Sequence, residues 1–143
     1  FPRDNPDNGE ERLTNLIKVA ASAKKLEWVK PSWASYGKRN VDLFAPGRHL
    51  LTTNSGKRPY FTIGGSSLAC ALTSGVAALL WSQYPDLDHQ QIKTILMLSG
   101  TRIEQEVKMG EDTTVPFSEL SRTGRILNAH DALLLGREAS TLD

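Results

Sequence analysis

The pattern of hydrophobic and polar positions along the chain predicts short strands that alternate with longer helical segments. Apolar and β-branched runs bounded by Gly, Pro and Asn are typical of strands, and apolar residues at helical spacing are typical of helices. The predicted strands cover residues 17–21, 41–44, 50–53 and 59–63, and the predicted helices cover residues 67–84, 88–99 and 128–135. We expect residues 100–115 to be irregular and Gly136 to end the last helix. Strands that alternate with helices indicate an α/β fold with a mainly parallel sheet.

Local sequence signals define the boundaries of four of these elements. The sequence N-S-G-K separates the third and fourth predicted strands, which favours a hairpin. Pro85 blocks continuation of the long helix, and Asp88 is a suitable cap for the next one.

The stretch from Thr62 to Trp81 dominates the chain. Two glycines and two serines precede a run that has no charge and no proline. Because no face of this run is polar, we expect a helix that is buried all round, with Cys70 as a buried small apolar residue. Ser66 or Ser67 is expected at the helix start, where backbone N–H groups lack intrahelical partners and the helix dipole places about half a positive charge.

These two serines have two interpretations. As an N-cap, a serine stabilises the helix by roughly 1 kcal/mol relative to alanine. As a nucleophile, a serine at a helix N-terminus has its own N–H directed to where an oxyanion would develop. Composition alone favours the cap.

The stretch that begins at Gly65, G-S-S-L-A-C-A-L-T-S-G, resembles the G-T-S-M-A-x-P-x-x-x-G motif of the subtilisin-like serine proteases. In this register Ser67 matches the nucleophile, Ser66 the motif Thr and Leu68 the motif Met. Ala71 replaces the motif Pro. Proline is tolerated in a first helical turn, so its loss is compatible with the helix.

Further segments resemble the same family in order and spacing along nearly the whole chain. They resemble its N-x-I-x-V-A-A strand, A-S-F-S-N-Y-G turn, V-D-I-x-A-P-G strand, the I-x-S-T that follows, the helix pair after the nucleophile, and the terminal G-x-V-N-A segment. In the same order, these six segments occupy residues 15–22, 31–37, 41–47, 50–53, 84–96 and 124–129 of this chain. Several motifs in the right order indicate ancestry far more specifically than one Gly-x-Ser would.

The resemblance implies a doubly wound three-layer α/β/α domain, of which residues 1–143 would be the C-terminal portion. In the family the triad runs Asp, His, Ser, so the catalytic Asp, the His and an oxyanion-hole Asn would precede this chain. The backbone N–H of Ser67 would be the second oxyanion donor. The resemblance also suggests a peptide or protein substrate for the whole enzyme and a secreted or extracytoplasmic location.

Three histidines could in principle supply a base, which a serine needs within hydrogen-bond reach to attack near neutral pH. They are His49, His89 and His130. None matches the family's catalytic His, and a lone His is more often a surface or satisfied residue. We therefore expect the isolated chain to be inactive.

Composition excludes several classes of partner and cofactor. With 17 basic and 16 acidic side chains the net charge is +1, which gives no case for nucleic acid or an anionic membrane. The longest apolar run is too short to span a bilayer, and a single Cys forms no disulfide or zinc pattern. No cofactor is expected. The acidic residues of the opening could form only a weak calcium site, since their spacing matches no known loop; they are Asp4, Asp7, Glu10 and Glu11.

Three functions follow, in decreasing order of support. The first is the nucleophile-bearing half of a subtilisin-like endopeptidase. The second is a degenerate, non-catalytic homologue that acts as an interaction module, with Ser67 only a cap. The third is a nucleotide-binding domain with Gly64 and Gly65 as a phosphate turn, which lacks both G-x-G-x-x-G and a P-loop. We also expect unpaired strand edges and an apolar helix, and hence self-association or binding of the complementary N-terminal half.

Overall fold

The computed structural model describes residues 13–23, 30, 32–109 and 113–141. Within these ranges eight short strands and three α-helices alternate along the chain, together with one 3-10 turn. The strands are β1 (Val19–Ser22), β2 (Leu43–Pro46), β3 (Leu50–Thr53), β4 (Tyr60–Ile63), β5 (Thr101–Arg102), β6 (Glu106–Lys108), β7 (Thr114–Pro116) and β8 (Arg125–Ile126). The helices are α1 (Ser66–Gln83), α2 (His89–Ser99) and α3 (Ala129–Ser140), and the 3-10 turn is Phe117–Glu119.

The central sheet has the strand order β1-β2-β8-β5, and its first three strands are parallel. Only β5, at one edge, runs antiparallel to its neighbour. The predicted α/β fold with a mainly parallel sheet is therefore confirmed, as is the β3–β4 hairpin.

β2 begins two residues later than predicted because Asp42 has another role. Its carboxylate is buried and accepts a hydrogen bond of 2.8 Å from the backbone N–H of Lys18. The guanidinium of Arg122 lies 3.7 Å from the same carboxylate, and the Thr123 hydroxyl donates to the Asp42 carbonyl. A buried carboxylate satisfied in this way ties the start of β2 to β1 and to the segment before β8.

The two faces of the sheet pack against different layers, as alternation along a strand requires. On one face, side chains from β1 and β2 join hairpin β6–β7 and the 3-10 turn, and the Phe44 and Phe117 ring centroids lie 4.9 Å apart. On the other face, α1 lies across β1 and β2, and the contact is made by Ala21, Ala34 and Ala45 with Ala69. Because all four are alanines, the helix backbone lies close to the sheet.

A second cluster joins the three helices. It contains Leu80, Leu87, Ile92, Ile95, Leu96 and Ala132. The predicted cap of α2 is confirmed: Asp88 accepts from the backbone N–H groups of Gln90 and Gln91, and the Gln91 side chain accepts from the Asp88 N–H. This capping box fixes the start of α2 beside the end of α1.

The prediction that Gly136 ends the last helix is wrong. α3 starts after its cap Asn128 and continues to Ser140, with Gly136 buried inside it. A Cβ at this position would lie 2.5 Å from Leu80 Cδ1 and 2.9 Å from the Tyr84 ring. The glycine is therefore a packing residue that lets α3 approach α1, rather than a helix stop.

The prediction that residues 100–115 are irregular is also wrong for most of that stretch. β5 adds to the central sheet, and β6 pairs with β7 with Val107 opposite Val115. These strands have only two or three residues each. Runs that short give no alternation that sequence reading can detect.

The prediction that α1 is buried all round does not hold within this chain. Among its residues only Ala69, Thr73 and Leu80 are buried, and they form one stripe toward the sheet and the other helices. Leu72 and Trp81 remain 41% and 46% exposed, and Cys70, predicted to be buried, is exposed as well. Uniform apolar composition indicates that a helix will be covered, but not which chain provides the cover.

None of the three described helices is long and apolar enough to cross a membrane.

Candidate active site

The N-terminus of α1 is fixed above the carboxyl ends of β1 and β2 by two glycines. The Gly65 N–H donates to the Gly47 carbonyl at 2.7 Å, and the Gly47 N–H donates to the Ser22 carbonyl at 3.0 Å. A Cβ at Gly47 would lie 2.5 Å from Ala21 Cβ and 3.0 Å from the Gly65 carbonyl oxygen. Only glycine fits here. The close approach places the start of α1 at the carboxyl ends of the strands, where α/β proteins bind ligands.

Ser67 is the second residue of α1, and it does not cap the helix. The N-cap residue is Gly65, which has an extended backbone, and no side chain caps this end. Ser67 is exposed, and its hydroxyl has no hydrogen-bond partner among the described residues. The cap interpretation of the two serines is therefore wrong.

The backbone N–H groups of Ser66 and Ser67 are also without an acceptor in the described part of the chain. The first intrahelical bonds at this end are donated by Leu68 and Ala69 to the Gly65 carbonyl. No acidic residue lies in the first turn of α1. Free N–H groups and a positive dipole end would attract an anionic oxygen at this position.

The Trp33 ring and the backbone of Arg48 lie close to Gly64. From the Cβ position of Gly64, the Trp33 ring atom Cζ2 is 3.6 Å away and the Arg48 Cα is 3.4 Å away. Trp33 is 51% exposed, so its ring forms part of the surface around the helix start. Sequence reading missed Trp33 and Gly47 as site residues, although Gly47 sits in the A-P-G segment that was noted.

Lys30 lies in the same turn region as Trp33. Its ammonium is 4.8 Å from the centroid of the Tyr36 ring, a cation–π contact. Burial lowers the pKa of Lys30 from its ordinary value of 10.5, because desolvation disfavours the charged form.

None of the three histidines is hydrogen-bonded to Ser67 in the described structure. His49 is an exposed loop residue with φ of 55°, two residues after Gly47. His89 begins α2, beyond the far end of α1, and a helix of 18 residues is about 27 Å long. His130 lies in the first turn of α3 and is exposed.

No metal site is found in the described ranges: no group of three or more His, Cys, Asp or Glu side chains is placed to hold an ion. The four acidic residues considered for calcium, Asp4, Asp7, Glu10 and Glu11, lie outside the described residues.

Comparison with known proteins agrees with this geometry. The model of the subtilase family, a family of peptidases, matches residues 3–118. The chain belongs to the subtilase family. The resemblance drawn from the sequence motifs is thereby confirmed.

Two of the similar proteins are named as proteases. The serine protease AprX of Bacillus subtilis is 32% identical over 43% of this chain and 17% of its own length. A thermostable alkaline protease of Halalkalibacterium halodurans is 33% identical over 66% of this chain and 25% of its own length. The chain thus spans a quarter or less of these two relatives.

The fold itself is found in solved subtilases. In a structure of the subtilase cytotoxin SubAB, 88% of this chain superposes on 38% of that chain with a TM-score of 0.66. The sequence identity is 24%, so this likeness concerns the fold.

Proposed function

We propose that this chain is the nucleophile-bearing part of a subtilisin-like serine endopeptidase and that Ser67 is its nucleophile. The observation that carries the proposal is the state of Ser67 in the described structure. Its hydroxyl is exposed and unpartnered on the first turn of α1, instead of capping the helix. Membership of the subtilase family supports the same assignment.

In this proposal the Ser67 Oγ attacks a peptide carbonyl while a histidine takes its proton, and the peptide is cleaved through an acyl-enzyme. The oxygen of the attacked carbonyl becomes negatively charged and is stabilised by the Ser67 N–H and the dipole of α1. The proton acceptor, the residue that orients it and the second oxyanion donor come from the rest of a subtilase domain. We infer that the isolated chain has no peptidase activity.

The complementary part would cover two surfaces of this chain. The first is the exposed face of α1 with Leu72, Leu79 and Trp81, where no atom of the described residues lies within 4 Å of the Gly75 Cβ position. The second is the outer edge of β1, a strand with three buried residues that pairs only with β2 among the described strands. Parallel strands are normally flanked on both sides and covered on both faces.

The test is reconstitution. The chain is mixed or fused with the N-terminal portion of a subtilase domain, and cleavage of a broad peptide library is measured beside Ser67→Ala and Ser66→Ala. We expect turnover that Ser67→Ala abolishes and that Ser66→Ala retains. Assembly without turnover, or equal activity in Ser67→Ala, would contradict the assignment.

A second candidate is a non-catalytic homologue that serves as an interaction module. It is favoured by Ala71 in place of the motif proline and by the absence of a hydrogen-bonded base for Ser67 in the described residues. Reconstitution separates the two functions, because an interaction module would bind its partner and leave every peptide intact. An extracytoplasmic location is part of the enzymatic proposal and rests on family membership alone.

A further inference from the structure

The hairpin that leads into the site has an unusual charge distribution. From residue 43 through residue 85 the chain contains no Asp or Glu, and its charged residues there are Arg48, Lys57 and Arg58. Arg48 precedes β3, and the other two lie at the tip between β3 and β4. We refer to β3, β4 and these three cations as the cationic hairpin.

No carboxylate in the described part of the protein neutralises the three cations. In the described structure none of them forms a salt bridge or a side-chain hydrogen bond, and the tip residues Lys57 and Arg58 are exposed to solvent. The nearest carboxylates along the chain are remote from Ser67. Asp42 is buried at the opposite end of β2 beside Arg122, and Asp86 follows the far end of α1.

The cationic hairpin is continuous with the nucleophile. β4 ends at Ile63, four residues before Ser67, and Arg48 lies against Gly64 with its Cα 3.4 Å from the Cβ position there. The tip is one strand length further away, about 13 Å for four residues. An extended peptide rises by about 3.3 Å per residue, so the tip cations would meet substrate residues about four positions beyond those that lie beside Arg48.

The arrangement of apolar residues favours a peptide over a lipid surface as the partner. The register places Leu51 and Tyr60 on one face of the hairpin and Phe61 and Ile63 on the other. All four are exposed. A segment that lies on a bilayer concentrates its apolar residues on one face, which this hairpin does not do.

We propose that the cationic hairpin selects substrates with acidic residues close to the scissile bond. This rests on the proposed peptidase function and names its substrate class. An acidic side chain beside Arg48, Lys57 or Arg58 gains an exposed ion pair, worth roughly a 1.4- to 5-fold preference for each cation engaged. Together they give a preference of about tenfold at low salt, which weakens as the Debye length falls below about 10 Å above 0.1 M salt.

The test compares two peptides in the reconstituted enzyme. They differ only by Asp and Glu against Asn and Gln around the cleaved bond, and the ratio of their kcat/KM values is measured at low and high salt. We expect a ratio of about ten that falls at 0.5 M salt. Lys57→Gln with Arg58→Gln, and separately Arg48→Gln, should each lower the ratio about two- to fivefold, and Arg48→Lys should restore it.

Lys108→Gln is the matched control, because Lys108 is an exposed cation in β6, away from the hairpin. It should leave the ratio unchanged. A ratio near one at low salt in an active enzyme overturns this inference and leaves the peptidase function standing. No cleavage of either peptide overturns the peptidase function first. Binding to anionic phosphatidylserine vesicles that the tip variants abolish, with an unchanged ratio, assigns the hairpin to membranes and also overturns the inference.

Discussion

The Gly65 N–H donates a hydrogen bond of 2.7 Å to the carbonyl oxygen of Gly47, and this bond positions the start of α1 over the sheet. It is accompanied by the close approach of Gly47 to Ala21 in β1. Because Ser67 is two residues after Gly65, its position depends on a loop residue twenty positions earlier in the chain. The position of the site is therefore determined by backbone contacts rather than by interactions of the Ser67 side chain.

Gly47→Ala should displace this loop, since the new Cβ would lie 2.5 Å from Ala21 Cβ and 3.0 Å from the Gly65 oxygen. We expect a loss of about 1–3 kcal/mol in the free energy of unfolding, typical of overpacking. Urea denaturation followed by circular dichroism measures it. Gly56→Ala, at the exposed hairpin tip, is the control and should cost much less; equal losses would show that the Gly47 contact is unimportant.

Two glycines inside helices should respond with opposite signs to alanine. Gly136→Ala places a methyl group against Leu80 and Tyr84 and should cost about 1–3 kcal/mol. Gly75→Ala meets no atom within 4 Å among the described residues and should stabilise α1 by up to about 1 kcal/mol, the difference in helix propensity. In the reconstituted domain we expect the gain at Gly75 to disappear, because the complementary part covers that face. Thermal unfolding of the chain alone and of the assembly measures the sign of the stability change for each variant.

Ser67→Ala should leave the stability of the chain within about 0.5 kcal/mol of the wild type, since the hydroxyl caps nothing. Asp88→Ala is the matched comparison, because it removes an observed capping box and should cost about 1 kcal/mol. The two free energies of unfolding come from the same denaturation assay. A cost at Ser67 equal to that at Asp88 would restore the cap interpretation.

The isolated chain should hydrolyse no peptide and should not react with a fluorophosphonate probe. A serine without a hydrogen-bonded base is a poor nucleophile, and none is bonded to Ser67 in the described residues. Mass spectrometry of the probe-treated chain is the measurement. Stoichiometric labelling at Ser67 would mean that a histidine of this chain reaches it, and His49→Ala, His89→Ala and His130→Ala would identify which one.

Cys70 offers a direct report on association. Its exposure predicts rapid reaction with a thiol reagent in dilute chain and slow reaction once the α1 face is covered. Light scattering at low micromolar concentration should show self-association of the chain alone and a one-to-one complex with the complementary part. A clean monomer whose Cys70 stays unreactive would contradict the coverage of α1 by another polypeptide.

Sequence patterns predicted the long elements well. The hairpin β3–β4 and the cap at Asp88 both depend on local chemistry, so a short window of residues was sufficient. Gly136 was misread because its role is defined by Leu80 and Tyr84, which are distant in sequence. The hydrogen bond between Gly65 and Gly47 could not be predicted for the same reason, because the two residues are distant in sequence.

The candidate site was predicted only in part. Motif resemblance indicated Ser67, but whether Ser67 capped its helix could be decided only from the backbone of Gly65. The position of Trp33 beside Gly64 likewise required the fold. The burial of α1 and Cys70 was overestimated, because an apolar run does not reveal whether its cover lies in the same chain.

The two edges of the central sheet differ, and this limits the stoichiometry of assembly. One edge is β5, a strand of two residues that runs against its neighbour, and edges that short offer little template for another strand. The other edge is β1, four residues long and, among the described strands, paired on one side only. Growth of a continuous sheet needs two receptive edges on every unit. A unit with one receptive edge pairs through that edge once and then offers no other, which favours a closed pair over a fibre.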